Sequence, residues 1–178
     1  MISAIHIING LSVEPEEVKR LTESVRDVFG VETDVQRSTL LIQRAFDESR
    51  KQYNSSALLA LLLNQNASRD EKSILVVDVD LFIPVLTFVF GEAQLSGMAA
   101  VVSTHRLHNQ FYGLPVAEEL TLLRLKKEVI HELGHTFGLY HCRQFECVMR
   151  SSTYVEEIDL KRSELCEACS LLLKQSPL

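Results

Sequence analysis

The chain has no surplus of positive charge: 18 lysines and arginines stand against 24 aspartates and glutamates, a formal net charge of −6. Gripping nucleic acid through its phosphates needs the opposite balance, so no nucleic-acid partner is expected. An uninterrupted apolar run is also missing. The most apolar long window, ILVVDVDLFIPVLTFVF, carries Asp78, Asp80 and Pro84, which a membrane span does not accommodate. The opening residues MISAIHIINGL show neither a basic flank nor a small-residue cleavage site, so no secretory leader is expected. Internal repeats and low-complexity linkers are absent, and no cysteine precedes position 142. A disulfide framework would staple more of a small secreted chain than its tail. These exclusions leave one soluble cytoplasmic domain, expected to be a monomer without a membrane partner. Its 178 residues, 46% of them hydrophobic, suffice for a core.

Strands and helices interleave along the chain. Residues 1–11 read as a buried strand. SVEPEEVKRL starts a helix, with Ser12 or Glu14 near the cap, Pro15 in the first turn, and Val18, Leu21, Val25 and Val28 at helical spacing up to Gly30. A strand over 31–37 and a largely helical segment over 38–67, broken around KQYNSS, follow. Further strands are expected over 74–79, 88–90 and 98–103, with Gly91 and Gly97 as punctuation. A strong helix opens at Glu118 and stops at Gly138. A last helix begins behind a capping-box pattern at Thr153 and Glu156. The expected fold is therefore α/β, with mixed α+β layers.

What is present in quantity is metal-binding chemistry near the end. In HELGHTFGLYHC, His131 and His135 are four residues apart and share one helix face. Gly138 then lets the chain reverse and bring back His141. Three neutral imidazoles on one Zn²⁺ leave a position open for water, as in catalytic rather than structural zinc sites. Cys142, Cys147, Cys166 and Cys169 form two close pairs, CRQFEC and CEAC, the usual supply of a Cys₄ zinc; a redox pair or free thiols is the alternative. Adjacent residues point apart, so His141 and Cys142 serve two neighbouring ions, two zincs per chain in all. His6 reads as a satisfied core residue, Asp78 and Asp80 as turn groups, and Glu92 as a solvent-facing carboxylate. His105 and His108 lie in a loop within reach of the cleft.

HELGHTFGLYH resembles the elongated zinc motif of the metzincin metalloproteases, HExxHxxGxxH. The following C-x₄-C-x-M and CxxC resemble the archaemetzincin branch, although Met149 and Cys166 are separated by one residue fewer than in that branch's signature. The resemblance implies that His131, His135 and His141 bind catalytic zinc and that Glu132 is the general base. It likewise implies that Met149 underlies the histidines in a Met-turn and that the four cysteines hold a structural zinc. The implied fold is a metzincin-type twisted mixed sheet with an active-site helix and a small zinc-stapled C-terminal subdomain. Its parts would be an upper subdomain over 1–138 and a lower one over 139–178. FVFGEAQLSGMAAVVS is similar to the family's edge strand, where an extended peptide pairs antiparallel; residues 97–103 are the candidate for that pairing, or else sheet core. The implied function is a zinc metallopeptidase acting on peptide or protein substrates, with aminopeptidase character as one form. The alternative is a catalytically silent zinc protein serving as a binding module.

Overall fold

The computed structural model describes residues 2–10, 15–65, 68 and 70–175, with the backbone alone over 15–18. In chain order its elements are β1 (Ala4–Asn9), α1 (Pro15–Phe29), β2 (Glu32–Arg37), β3 (Phe46–Asp47), β4 (Gln52–Asn54), α2 (Ser55–Gln65) and β5 (Glu71–Val77). They continue with β6 (Leu81–Phe82), β7 (Gly91–Ala93), β8 (Ala99–Ser103), α3 (Glu118–Thr136), α4 (Val155–Leu160) and α5 (Glu167–Gln175). The main sheet runs β2-β1-β5-β8-β7, its first four strands parallel and β7 antiparallel to β8. A small second sheet runs β3-β4-β6.

Alternation along the strands builds two cores. Ile5, Ile7, Ile74, Val76, Ala100 and Val102 face α1 and α3, joining Leu21, Val25, Val129 and Leu133. Ile8, Leu75, Val77, Ala99 and Val101 face the other way, onto Leu58, Leu59 and Leu62 of α2. Helices thus cover both faces, which is why β5 and β8 read as continuous apolar runs rather than alternating ones. The fold is mixed α/β with a twisted mixed sheet, as expected.

Four expectations about elements need correction. The helix expected over 38–67 is confined to α2. Before it, Asp47 Oδ1 accepts the Ser49 and Arg50 N–H groups in a turn, and Asn54 Oδ1 accepts the Ala57 N–H to start the helix. The polar break KQYNSS is thus the end of a hairpin and a helix cap. The strand expected over 88–90 lies at β7, with Val89 making only an isolated bridge to Leu81. The last helix is two helices, α4 and α5, and the carboxylate that accepts the Thr153 and Tyr154 N–H groups at α4 belongs to Glu157, not Glu156. Residues 97–103 are not the edge: β8 lies between β5 and β7 and is buried throughout, and β7 ends the sheet. Ser12 and Glu14, expected near the cap of α1, fall outside the described residues. Among the described residues, no helix is long and apolar enough to cross a membrane.

Candidate metal and catalytic centre

Helix α3 carries the centre and ends sharply behind it. Glu118 and Glu119 sit in its first turn, the favourable end for acids. At the far end Gly138 adopts φ +87°; its N–H donates to the His135 carbonyl at 2.9 Å, and the Leu139 N–H donates to the Gly134 carbonyl at 3.0 Å. That pair of bonds is a Schellman stop, which requires the left-handed residue that glycine supplies. The reversal brings His141 back over the helix. Its ring centroid lies 5.2 Å from that of His131 and 4.9 Å from that of His135.

The imidazoles are held in one tautomer. His131 Nδ1 donates to the Val148 carbonyl at 2.8 Å, and His135 Nδ1 donates to the Leu139 carbonyl at 2.7 Å. A carbonyl only accepts, so both rings keep their proton on Nδ1 and turn bare Nε2 lone pairs towards each other. Those Nε2 atoms are 3.1 Å apart, and the ligand atoms of all three histidines lie within 4.8 Å of one another. Two bare nitrogens at that distance repel unless a cation stands between them. Tetrahedral zinc with Zn–N bonds of ~2.0–2.1 Å sets nitrogens about 3.3–3.4 Å apart, close to what is found. Burial pushes the His131 basicity well below the ordinary range, and burial lowers His135 and His141 too, so all three are neutral and ready to ligate.

Glu132 is buried beside them, and burial, reinforced by Glu128, raises its carboxyl well above the ordinary range. Edge strand β7 passes directly over it. A Cβ on Gly91 would lie 2.7 Å from Glu132 Cγ and 2.7 Å from the Val101 carbonyl, so the strand needs glycine there. From below, Met149 is fully buried with its sulfur against Gly134, where an added Cβ would meet Met149 Cε at 3.0 Å. The glycine inside HELGH is therefore the seat of the methionine.

The four cysteines converge as a second cluster. Cys142 Sγ lies 3.8 Å from Cys166 Sγ, and Cys147 Sγ lies 3.8 Å from Cys169 Sγ. A disulfide would bring sulfurs to ~2.05 Å, whereas Zn–S bonds of ~2.3 Å in a tetrahedron set sulfurs about 3.8 Å apart. The spacing fits the metal and not the disulfide. Burial pushes the Cys147 and Cys169 thiols up, the penalty that a dication in their midst would offset. The Cys142 N–H donates to the Met149 carbonyl at 2.9 Å, tying the segment behind His141 to the methionine turn.

Two cavities flank the centre, both touching Gly91, His131, Glu132 and His141. One, of about 280 Å³, is bounded by residues 86–91, Glu128 and residues 151–153. The other, of about 360 Å³, lies along β7 towards Ala93, Leu95 and Tyr140. Glu128 Oε1 accepts from the buried Lys161 ammonium at 3.0 Å, and that ammonium also donates to the Arg150 carbonyl at 3.1 Å. The placement of Glu128 had a visible signal, since it precedes Glu132 by one turn on the same face, whereas its partner Lys161, distant in sequence, had none.

Other expected groups lie elsewhere. Glu92 is not solvent-facing: its carboxylate accepts from Ser55 and Ser56 at the start of α2. His6 is half-buried and bonded to Asp34 at 2.6 Å. Asp80 receives Arg106 at 2.5 and 2.8 Å, and Asp78 receives the Thr104 hydroxyl at 2.9 Å, so both are side-chain tethers rather than turn caps. His105 packs edge-on against Phe111, and His108 Nε2 lies 3.4 Å from Asp78.

The chain matches the model of peptidase family M54 over residues 18–175. It is 38% identical over 159 residues to an archaemetzincin of Natronomonas pharaonis, covering 87% of this chain and 91% of that one. A solved zinc-dependent peptidase from Methanocorpusculum labreanum superposes with a TM-score of 0.84 at 31% identity, covering 95% and 99% of the two chains. The solved archaemetzincin from Methanopyrus kandleri gives 0.84 at 34% identity, covering 98% and 95%.

Proposed function

The chain belongs to peptidase family M54 and is a zinc metallopeptidase, and from that premise we propose that His131, His135 and His141 hold the zinc while Glu132 is the general base. The two bare Nε2 atoms 3.1 Å apart, next to a buried glutamate, are the observation that carries this reading. Zinc bound there supplies Lewis acidity, acidifying a water and polarising a peptide carbonyl. Glu132 takes the proton of that water and returns it to the leaving amine; a carboxylate with raised proton affinity suits a group that must hold a proton between two steps. The Val148 and Leu139 carbonyls keep His131 and His135 in the ligating tautomer throughout.

An extended peptide adds to β7 by main-chain pairing. Paired antiparallel, it runs from the Ala93 side towards Gly91, so its N-terminal part lies in the larger cavity and the residue after the scissile bond faces the smaller one. The four cysteines hold a second zinc and fix a lower subdomain over 139–178, with Met149 as the floor of the histidine site. Aminopeptidase action would need a carboxylate for the substrate's α-amino group. Glu92 borders the larger cavity, but its carboxylate is already engaged by Ser55 and Ser56, so internal cleavage is the form favoured here. The protein acts as a cytoplasmic monomer on this reading.

Replacing Glu132 by alanine tests it. Peptide cleavage is expected to fall by roughly 10²–10⁴-fold, the usual worth of a positioned acid–base group, with zinc content unchanged. Equal cleavage by the variant would remove Glu132 from the mechanism.

A further inference from the structure

The smaller cavity is largely apolar, with a few polar groups set into its wall. Its wall on α3 includes Glu128, a buried carboxylate whose Oε1 is taken by Lys161. In the stretch after the methionine turn, Ser152 also borders the cavity; its Oγ is buried and has no hydrogen-bond partner among the described residues. Buried hydroxyls without partners are uncommon because they forgo their hydration. An orphan in the wall of a cavity that also touches Glu132 and His141 therefore points to a ligand atom. Ser152 borders the cavity while its Oγ is turned away from solvent, so reaching a ligand requires a turn about its Cα–Cβ bond. Leu86, Phe88 and Phe90 line the approach and suit an apolar stem.

We propose that Ser152 and Glu128 are specificity-determining residues, and that the cavity takes a substrate side chain with an apolar stem and an amide tip, as in glutamine. The inference rests on the peptidase reading above and adds the identity of the residue after the scissile bond. The amide N–H donates to the Glu128 carboxylate while the amide oxygen accepts from Ser152. A substrate carboxylate has no N–H to donate to Glu128. A substrate ammonium meets a carboxylate already neutralised by Lys161. An aliphatic tip leaves both groups without partners, and sites built to hydrogen-bond a substrate reject analogues that lack the bond.

The test uses the zinc-loaded full chain and peptides identical except for glutamine, leucine, glutamate or lysine after the cleaved bond. Wild type is expected to favour glutamine over leucine in kcat/KM by about tenfold or more. Ser152→Ala is expected to reduce that ratio to about twofold, mainly by lowering kcat/KM for the glutamine peptide, and Ser152→Thr is expected to restore the ratio by keeping the hydroxyl. Ser152→Ala removes an unpartnered group, so its melting temperature should not fall, which separates specificity from misfolding. Glu128→Gln strands the Lys161 ammonium and is the less clean variant. A ranking led by leucine, glutamate or lysine, or a Ser152→Ala ranking equal to wild type, overturns the inference and leaves the peptidase reading standing. If no peptide is cleaved, the peptidase reading fails, and calorimetric binding of the glutamine and leucine peptides decides the cavity separately. A glutamine preference lost in Ser152→Ala supports it there, and equal binding overturns it.

Discussion

Lys72 shows how much a single side chain behind the active-site helix is asked to do. It is buried in β5, and its ammonium donates to the Gly97 carbonyl at 2.6 Å and the Thr136 carbonyl at 2.9 Å, 4.6 Å from the Phe137 ring. It therefore ties the turn between β7 and β8 to the last turn of α3, where free carbonyls welcome a cation. Burial nevertheless pushes its pKa from 10.5 down to about 8. Between those two values the unfolded chain holds the proton and the folded chain does not, so stability from this group rises with pH across that window. At pH 7 both states are protonated and the slope vanishes. Urea midpoints of wild type and Lys72→Met, measured from pH 7.5 to 10, should show wild type gaining on the variant above about 8. A gap that stays constant with pH would refute the assignment. Met149 teaches a related lesson, since its place under the histidines is set by the missing side chain of Gly134.

At the scale of elements, the closest approach in the centre is that of β7 to α3. Gly91→Ala puts a methyl group against Glu132 and the Val101 carbonyl. Zinc content is expected to persist, because no histidine is touched, while kcat falls by about 10²-fold from a displacement of ~1 Å at the base. Metal analysis alongside kinetics checks both; a variant of normal activity would mean that β7 does not constrain Glu132. Gly91 also marks where sequence reading stopped. The helix from Glu118 to Gly138, its histidine spacing and the cysteine pairs were legible, because helical periodicity and ligand spacing are local properties. The edge strand was not: β7 has three residues, and Gly91 reads as punctuation unless one knows that Glu132 lies beneath it. Residues 38–67 misled because leucine-rich α2 extended the helical pattern back over a hairpin whose pairing with β6 is non-local. Glu92, Asp80 and Lys72 likewise find their partners across long stretches of chain. Such partners leave no spacing to read.

At the scale of the whole molecule, both candidate ligand clusters draw on the chain after Gly138. His141 and Cys142 are neighbours, and the Val148 carbonyl that orients His131 lies between Cys147 and Met149. Elemental analysis should find two zincs per chain. Cys166→Ala/Cys169→Ala should lose one outright and lower the melting temperature, since structural zinc contributes folding energy directly. Two zincs retained by that variant would show that the thiols hold none. The sheet carries one more implication. It is covered by helices on both faces and has β7 at one edge, so a peptide bound as proposed would be its sixth strand. Membership of that sheet is open only to a segment whose amide and carbonyl groups are unspent. A helix, or a strand already paired on both sides, has none to offer. On the proposed pairing, an extended and unpaired segment is favoured over a folded one before any side chain is read.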